Sequence, residues 1–351
     1  MGKRSIVLVS LLLVLSILVT ACSGGSNATP AATPVTPAAL AANEPAPAVK
    51  ATVLKLGHQA PAGTAYDILA NTFKDFIEER SNGKYKIEIY NGGQLGGDRE
   101  LMEAVQVGNV AFNVLTASDM GTFVPEMEVQ DLPYLFTSWE EVYKFLDSDA
   151  AEEFYALSDT AGIKTLSFMP RGFRHVTNNK GPITTPADLK GMKIRVAESK
   201  IYENTFAALG ANPQIMAFSE VFTALQQGTV DGHENTIITI RDYRIDDVQK
   251  YVSETFHMFA FGAITMNPAL FDGMSAEDQK MFKQAGIDAG KDAGKIQEQN
   301  EATAKAELEA NGMVFNEVDK QAFIDLVQPV YEDYFKNHDR KYFDHIKAAI
   351  K

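Results

Sequence analysis

The sequence predicts an open α/β fold built as two similar lobes with a cleft between them. Three observations carry that expectation. Strand-like and helix-like runs alternate from about residue 52 onward. One short unit recurs 120 residues further along the chain. Arg174 and Arg195 stand inside segments that otherwise read as folded strand.

Val53 to Gly57 is a short strand-like run. Thr64 to Arg80 reads as a helix, because Tyr66, Leu69, Ala70, Phe73, Phe76 and Ile77 recur near helical spacing. Ser81-Asn82-Gly83 ends it. Tyr85 to Tyr90 alternates as a strand, with Tyr85, Ile87 and Ile89 on one face. Asp98 caps a helix running to Val107, with Gly108 just past its end. Val110 to Leu115 is the next strand. This β-α-β-α-β order implies an open sheet with helices on both faces, which binds ligands at the carboxyl ends of its strands.

Val105-Gln106-Val107-Gly108-Asn109-Val110 is matched by Leu225-Gln226-Gln227-Gly228-Thr229-Val230. Each reads as a helix end, a glycine cap and entry into a strand. Shared capping chemistry alone could produce one such match, but in an alternating chain it favours two lobes of similar build. Between the copies, Thr185 to Gly191 reads as a capped helical turn with Pro186 at its first position. Met192 to Val196 is a strand with Lys193 and Arg195 on one face. Ser219 caps a later helix, and Asp231 to Asn235 reads as a polar strand-end loop. Asp278 to Asn311 reads as one long helix or two.

The N-terminus is not fold. Lys3 and Arg4 precede an apolar run from Ile6 to Val19, too short at 14 residues to span a bilayer. Val19-Thr20-Ala21-Cys22 follows, and Cys22 is the single cysteine of the chain. The plainer reading is an uncleaved membrane anchor, but the pattern resembles a bacterial lipoprotein signal peptide over residues 1–21, which implies cleavage before Cys22, acylation of Cys22 and a protein held at an extracytoplasmic membrane face. Residues 22–51, rich in Ala, Pro and Thr, form a tether. Removing the signal takes the net charge from −14 to about −16, since it carries two basic residues and no acids. Such a surface argues against nucleic acid and anionic lipid as partners.

The chain also argues against an enzyme. Its six histidines show no metal-ligand spacing, and an acylated Cys22 leaves no thiol nucleophile. Asn91 to Gly97 is glycine-rich but lacks the Lys-Ser/Thr of a phosphate loop. No metal and no cofactor is expected. A guanidinium inside a strand is costly unless an anion or a carboxylate meets it, so Arg174 and Arg195 suggest a carboxylate-binding protein. Plainer readings stand beside this one. Arg195 could be solvated, Arg174 could pair with a local acid, Asn235 could hold a turn, Phe218 could be core, and Asp98 could only cap its helix.

GMKIRV, ALGANP, MAFSEVFTALQQGTVDG and HEN, in this order, resemble the substrate-binding proteins of tripartite ATP-independent periplasmic (TRAP) transporters, the C4-dicarboxylate-binding protein family. QLGGDRELMEAVQVGNV, DLPYLF and GFRHVTNN extend the likeness over most of residues 52–340. The resemblance implies a type II periplasmic-binding-protein clamshell with a long helix crossing both lobes. Residues 52–172 with 261–300 would form lobe 1, and residues 173–260 with 301–351 lobe 2. It implies capture of a small organic acid and delivery to the small and large membrane permease subunits. A ligand-presenting subunit of a sensor kinase would use the same cleft.

By the same resemblance, Arg195 holds the ligand carboxylate bidentately, Arg174 and Asn235 add contacts to it, and Phe218 packs on the carbon skeleton. Gln59, Asp98 and Thr116 would meet the distal polar groups. His233 stands where the family commonly has Gln, which leaves open a pH-sensitive contact. Leu115-Thr116 replaces the acidic residue of the sialic-acid branch. Asp98 suits the hydroxyls of a sugar acid such as a hexuronate. A C4-dicarboxylate would need a second cation across the cleft, whereas Arg171 is expected beside Arg174.

Overall fold

The computed structural model describes residues 50–351; the signal, Cys22 and nearly all of the tether lie outside the described residues. Ten strands are present among the described residues: β1 (Thr52–Gly57), β2 (Tyr85–Tyr90), β3 (Phe112–Thr116), β4 (Lys164–Asn178), β5 (Lys193–Val196), β6 (Asn212–Ile215), β7 (Gly232–Thr236), β8 (Tyr251–Glu254), β9 (Phe259–Met266) and β10 (Val314–Glu317). β1 lies parallel between β2 and β3, as the β-α-β-α-β reading requires. β9 then pairs antiparallel with β3 and β4.

β4 joins the two halves. Up to Phe173 it pairs with β9, and from Arg174 it pairs antiparallel with β7. β5 lies parallel between β7 and β6. The strand order is β2-β1-β3-β9-β4-β7-β5-β6, with β8 and β10 attached beside β4. The result is a two-lobed α/β clamshell whose halves share the 15-residue strand β4.

Of the one long helix or two expected here, one is present, Ala276–Ala310. Its 35 residues span roughly 50 Å. It packs on β4, on the helix Ala65–Arg80 of one half and on the helix Ile237–Asp242 of the other. Gly286, Gly290 and Gly294 make that seam possible. A Cβ at Gly290 would fall 2.4 Å from the Phe168 carbonyl oxygen, and one at Gly294 would fall 2.7 Å from Pro170 Cδ. At the C-terminus, Lys341–Ala349 packs on Trp139–Leu146 and Asp149–Tyr155, while Gln328–Asn337 packs on Lys200–Ala208.

Three local expectations are corrected. Gly97, not Asp98, is the N-cap of Asp98–Gln106, and Glu100 reaches back to accept from the Gly97 N–H at 3.0 Å. Ser219 lies within a 3₁₀ turn, Phe218–Glu220, that precedes the helix Val221–Gln226. Asp231 to Asn235 is no loop, because Gly232–Thr236 is a wholly buried strand between β4 and β5. Its polar side chains find partners inside the fold, which is what makes their burial tolerable.

Candidate functional site

Three buried arginines reach one cavity of about 500 Å³ in the cleft. Strand geometry decides how. Arg171 and Arg174 are three residues apart on β4, so an unbroken strand would send them to opposite faces. The ladder to β9 shifts register between Pro170 and Gly172, leaving Arg171 as the extra residue of a bulge. Gly172 has φ +114°, a conformation that favours glycine. Both guanidinium groups therefore line the cavity. Arg195 enters from β5.

Their charges are balanced very differently. Arg174 is already neutralised. Its Nε donates to Glu234 Oε2 at 2.5 Å, and its Nη2 donates to Oε1 at 2.8 Å. Burial works against both charges, but their mutual attraction wins: Arg174 rises above its usual range and Glu234 falls to about 2. His257, kept neutral by burial, donates from Nε2 to Glu234 Oε2 at 3.1 Å and accepts at Nδ1 from the Thr255 hydroxyl at 2.8 Å.

Arg171 donates from Nη1 to Tyr66 Oη at 2.7 Å and from Nη2 to Thr239 Oγ1 at 2.8 Å. Its guanidinium lies 4.6 Å from the Tyr66 ring centre. It thus reaches the helix Ala65–Arg80 and is not confined to the neighbourhood of Arg174, a correction to the sequence expectation. Burial raises Asp98 above the usual carboxylate range, and the nearby Arg171 opposes that rise only in part.

Arg195 has no carboxylate partner among the described residues. Its Nε and Nη2 both donate to the Met216 carbonyl, at 2.9 and 2.6 Å. Burial pulls it down to about 10, so it remains charged at neutral pH. The Phe218 ring lies 5.4 Å from its guanidinium and packs edge-on against Tyr243 at 4.7 Å. Asn235, on β7, accepts from the Thr236 N–H at its Oδ1. Among the described residues, Nη1 of Arg174, Nη1 of Arg195 and Nδ2 of Asn235 have no protein acceptor, although all three residues are buried cavity-lining groups.

Gln59, Asp98 and Thr116 line the same cavity. The Thr116 N–H donates to Asp98 Oδ2 at 3.3 Å, and its hydroxyl shares a 2.6 Å hydrogen bond with Tyr66. Every ligand-binding residue expected from the sequence therefore meets at one place. Sequence reasoning missed Tyr66, Asp119, Glu198 and Tyr243, which also line it. Asp119 carried one usable signal, since it lies just past the carboxyl end of β3. His233 does not line the cavity. It is fully buried, bonded through Nδ1 to the Thr177 hydroxyl at 2.7 Å, and burial pulls it down to about 3.

Beneath the arginines lies a second polar layer. The Ser118 hydroxyl donates to Asp131 Oδ1 at 2.7 Å, and the Arg174 guanidinium lies 5.1 Å from the Tyr202 ring centre. Burial pushes Asp131 up to about 8. An unfolded Asp ionises near pH ~4. The stability this group contributes is therefore full below about pH 4 and is lost as pH rises to about 8. Asp131→Asn keeps an acceptor for Ser118 without the ionisation. Urea melts should show the variant unchanged relative to wild type at pH 4 and relatively stabilised at pH 8. An identical pH dependence in the two proteins would refute this.

The chain matches the family model described as bacterial extracellular solute-binding protein, family 7, over residues 56–338. It is 34% identical over 309 residues to a solute-binding protein of Verminephrobacter eiseniae, covering 87% of this chain and 91% of that one. It is 30% identical over 301 residues to the 2,3-diketo-L-gulonate-binding periplasmic protein of Escherichia coli K12, covering 84% and 90%. Among solved structures it resembles a TRAP periplasmic solute-binding protein from Polaromonas sp. JS666 bound to D-erythronate. That match has 34% identity and a TM-score of 0.81, and covers 85% of this chain and 98% of that one. With the clamshell and the arginine-lined cleft, these matches place the chain in family 7 of the bacterial extracellular solute-binding proteins, the solute-binding proteins of TRAP transporters.

Proposed function

We propose that this protein is the extracytoplasmic solute-binding subunit of a TRAP transporter. It captures a small organic acid by its carboxylate, closes around it, and presents it to the membrane permease subunits for secondary uptake. It performs no chemistry itself. The observation that carries this reading is Arg195, a buried, charged guanidinium that lines the cleft and has no carboxylate partner among the described residues. A guanidinium so placed is costly until an anion meets it, and its planar fork fits a carboxylate. Arg174 and Asn235 supply further donors to that anion, and Phe218 covers its carbon skeleton. Gln59, Asp98 and Thr116 meet its far end. The favoured ligands are sugar acids such as hexuronates, or C4-dicarboxylates. β4 at Gly172 and β9 at Ala260 cross between the halves in register and serve as hinges. Acylation at Cys22 would hold the protein at the membrane.

Thermal shift on the mature chain, unfolded and refolded to strip any retained ligand, tests the proposal. Hexuronates, aldonates and C4-dicarboxylates are the ligands to offer. An acid present at roughly 100 times its Kd should add about 2.7 kcal/mol of apparent stability. If none of these acids shifts the melting transition, carboxylate capture is the wrong reading.

A further inference from the structure

Arg171 is a buried cation of the cleft that carboxylate capture by Arg195 leaves unused. It is 7% exposed, and its Nε is buried without a partner among the described residues. The bonds it makes go to hydroxyls only: Nη1 donates to Tyr66 at 2.7 Å and Nη2 to Thr239 at 2.8 Å. Each of these is bonded in turn to another neutral hydroxyl, Tyr66 to Thr116 at 2.6 Å and Thr239 to Thr236 at 2.8 Å. Tyr66 itself stays neutral, pushed up to about 12 by burial. Of the nearby acids, Asp242 is paired with Arg241, and burial moves Asp98 toward its neutral form. A guanidinium stripped of water and met by neutral groups alone is costly.

The two hydroxyls belong to different halves. Tyr66 is on the helix Ala65–Arg80, which Leu69 and Phe73 seat in one apolar core. Thr239 is on the helix Ile237–Asp242, which Ile237 and Ile240 seat in another. Arg171 stands between them on β4, next to Gly172, where the strand passes from one half to the other. It holds both hydroxyls only while the halves are together. Rotation about the crossing strands draws one hydroxyl away from the other and lets water reach the guanidinium. Arg195 differs, because both of its bonds go to Met216 in its own half. Arg171 thus loses its water when the cleft shuts and gains no carboxylate partner from the protein in return.

Resting on the carboxylate-capture reading, we propose that Arg171 makes closure conditional on an anion. Its unanswered charge holds the empty cleft open. A carboxylate arriving at Arg195 brings the missing negative charge into the same cavity, and the halves then shut. Arg171 acts here as a positioning residue, through the charge it carries into the closed form. Only the loaded protein then presents a closed surface to the permease.

Electron–electron distance measurements on the full mature chain test this, with Cys22→Ser and spin labels at Val107→Cys and Gln227→Cys. These two exposed positions correspond to one another in the repeated unit, one in each half. In empty, refolded protein, Arg171→Met removes the charge and is expected to raise the closed-to-open ratio by roughly tenfold or more. Thr239→Asp is expected to raise it as well, by placing a carboxylate where Arg171 already donates. An acid at that position also completes a capping box with Thr236, as Asp188 does with Thr185. Arg171→Lys keeps the charge and should stay near wild type. Unchanged ratios, a Met variant that opens further, or a Lys variant that closes as the Met variant does would each overturn the proposal. Thr239→Asp decides the matter should Arg171→Met fail to fold. These ratios need no ligand, so they stand apart from the capture reading, which falls only if no acid in the thermal screen binds.

Discussion

Arg195→Ala is expected to weaken binding of the preferred organic acid by at least 100-fold while the protein stays folded. Three buried arginines line the cleft: Arg174 has its charge answered by Glu234, whereas Arg171 bonds only the hydroxyls of Tyr66 and Thr239. Arg195 has only a carbonyl oxygen. A charge-assisted hydrogen bond contributes roughly 1.5–3 kcal/mol. Loss of a bidentate pair therefore removes about 3 kcal/mol or more, roughly 100-fold or more in Kd. The cost to the fold is small. The Met216 carbonyl loses its donors, at about 1 kcal/mol, and relief of a desolvated charge offsets part of that. Arg195→Lys keeps the charge without the fork and should recover only part of the affinity. Calorimetric titration with the acid found by thermal shift measures both variants. Near-wild-type affinity in Arg195→Ala would show that the carboxylate sits elsewhere, Arg171 being the first alternative.

Much of this architecture was legible from the chain. The helix at residues 65–80 announced itself through apolar residues at helical spacing, and β2 through alternation. The central antiparallel pair was harder to read. β4 and β9 are buried on both faces, so Lys164–Asn178 and Phe259–Met266 show no period to separate strand from helix. Gly232–Thr236 misled for the opposite reason. Its polarity reads as loop, but Glu234 and His233 spend their polar groups on Arg174 and Thr177 inside the sheet. Arg171 escaped because its direction depends on a bulge, which adds one residue to a strand and reverses every later side chain. Arg174 and Arg195 stood out as guanidinium groups inside strand-like segments, and the motif resemblance then supplied their expected roles and added Asn235. Strand parity alone would have left Arg195 on a solvated face.

The Arg174–Glu234 pair leads to the second large expected effect. Glu234→Ala should destabilise the protein by about 3–5 kcal/mol, the range for removing one partner of a buried ion pair. Both side chains are almost wholly buried, at 3% and 0% exposure. Without Glu234, the Arg174 guanidinium keeps its charge with only the backbone carbonyl of residue 234 as a bonded acceptor. His257 loses the acceptor for its Nε2 proton as well. The pair also imposes a pH dependence. Glu234 is held at about 2, below its unfolded value of ~4.3, so its stabilising contribution is present above pH ~4.3 and is lost as pH falls toward about 2. Glu234→Ala should lack that acid-side loss. The double variant Arg174→Met with Glu234→Leu removes both charges and should recover much of the stability. Urea denaturation of wild type, single and double variants forms the test. If the double variant were as unstable as Glu234→Ala, the loss would come from packing and not from an orphaned charge. Any ligand that a recovered double variant still holds must be held without Arg174, which leaves Arg195 and Arg171 as the buried arginines of the cleft.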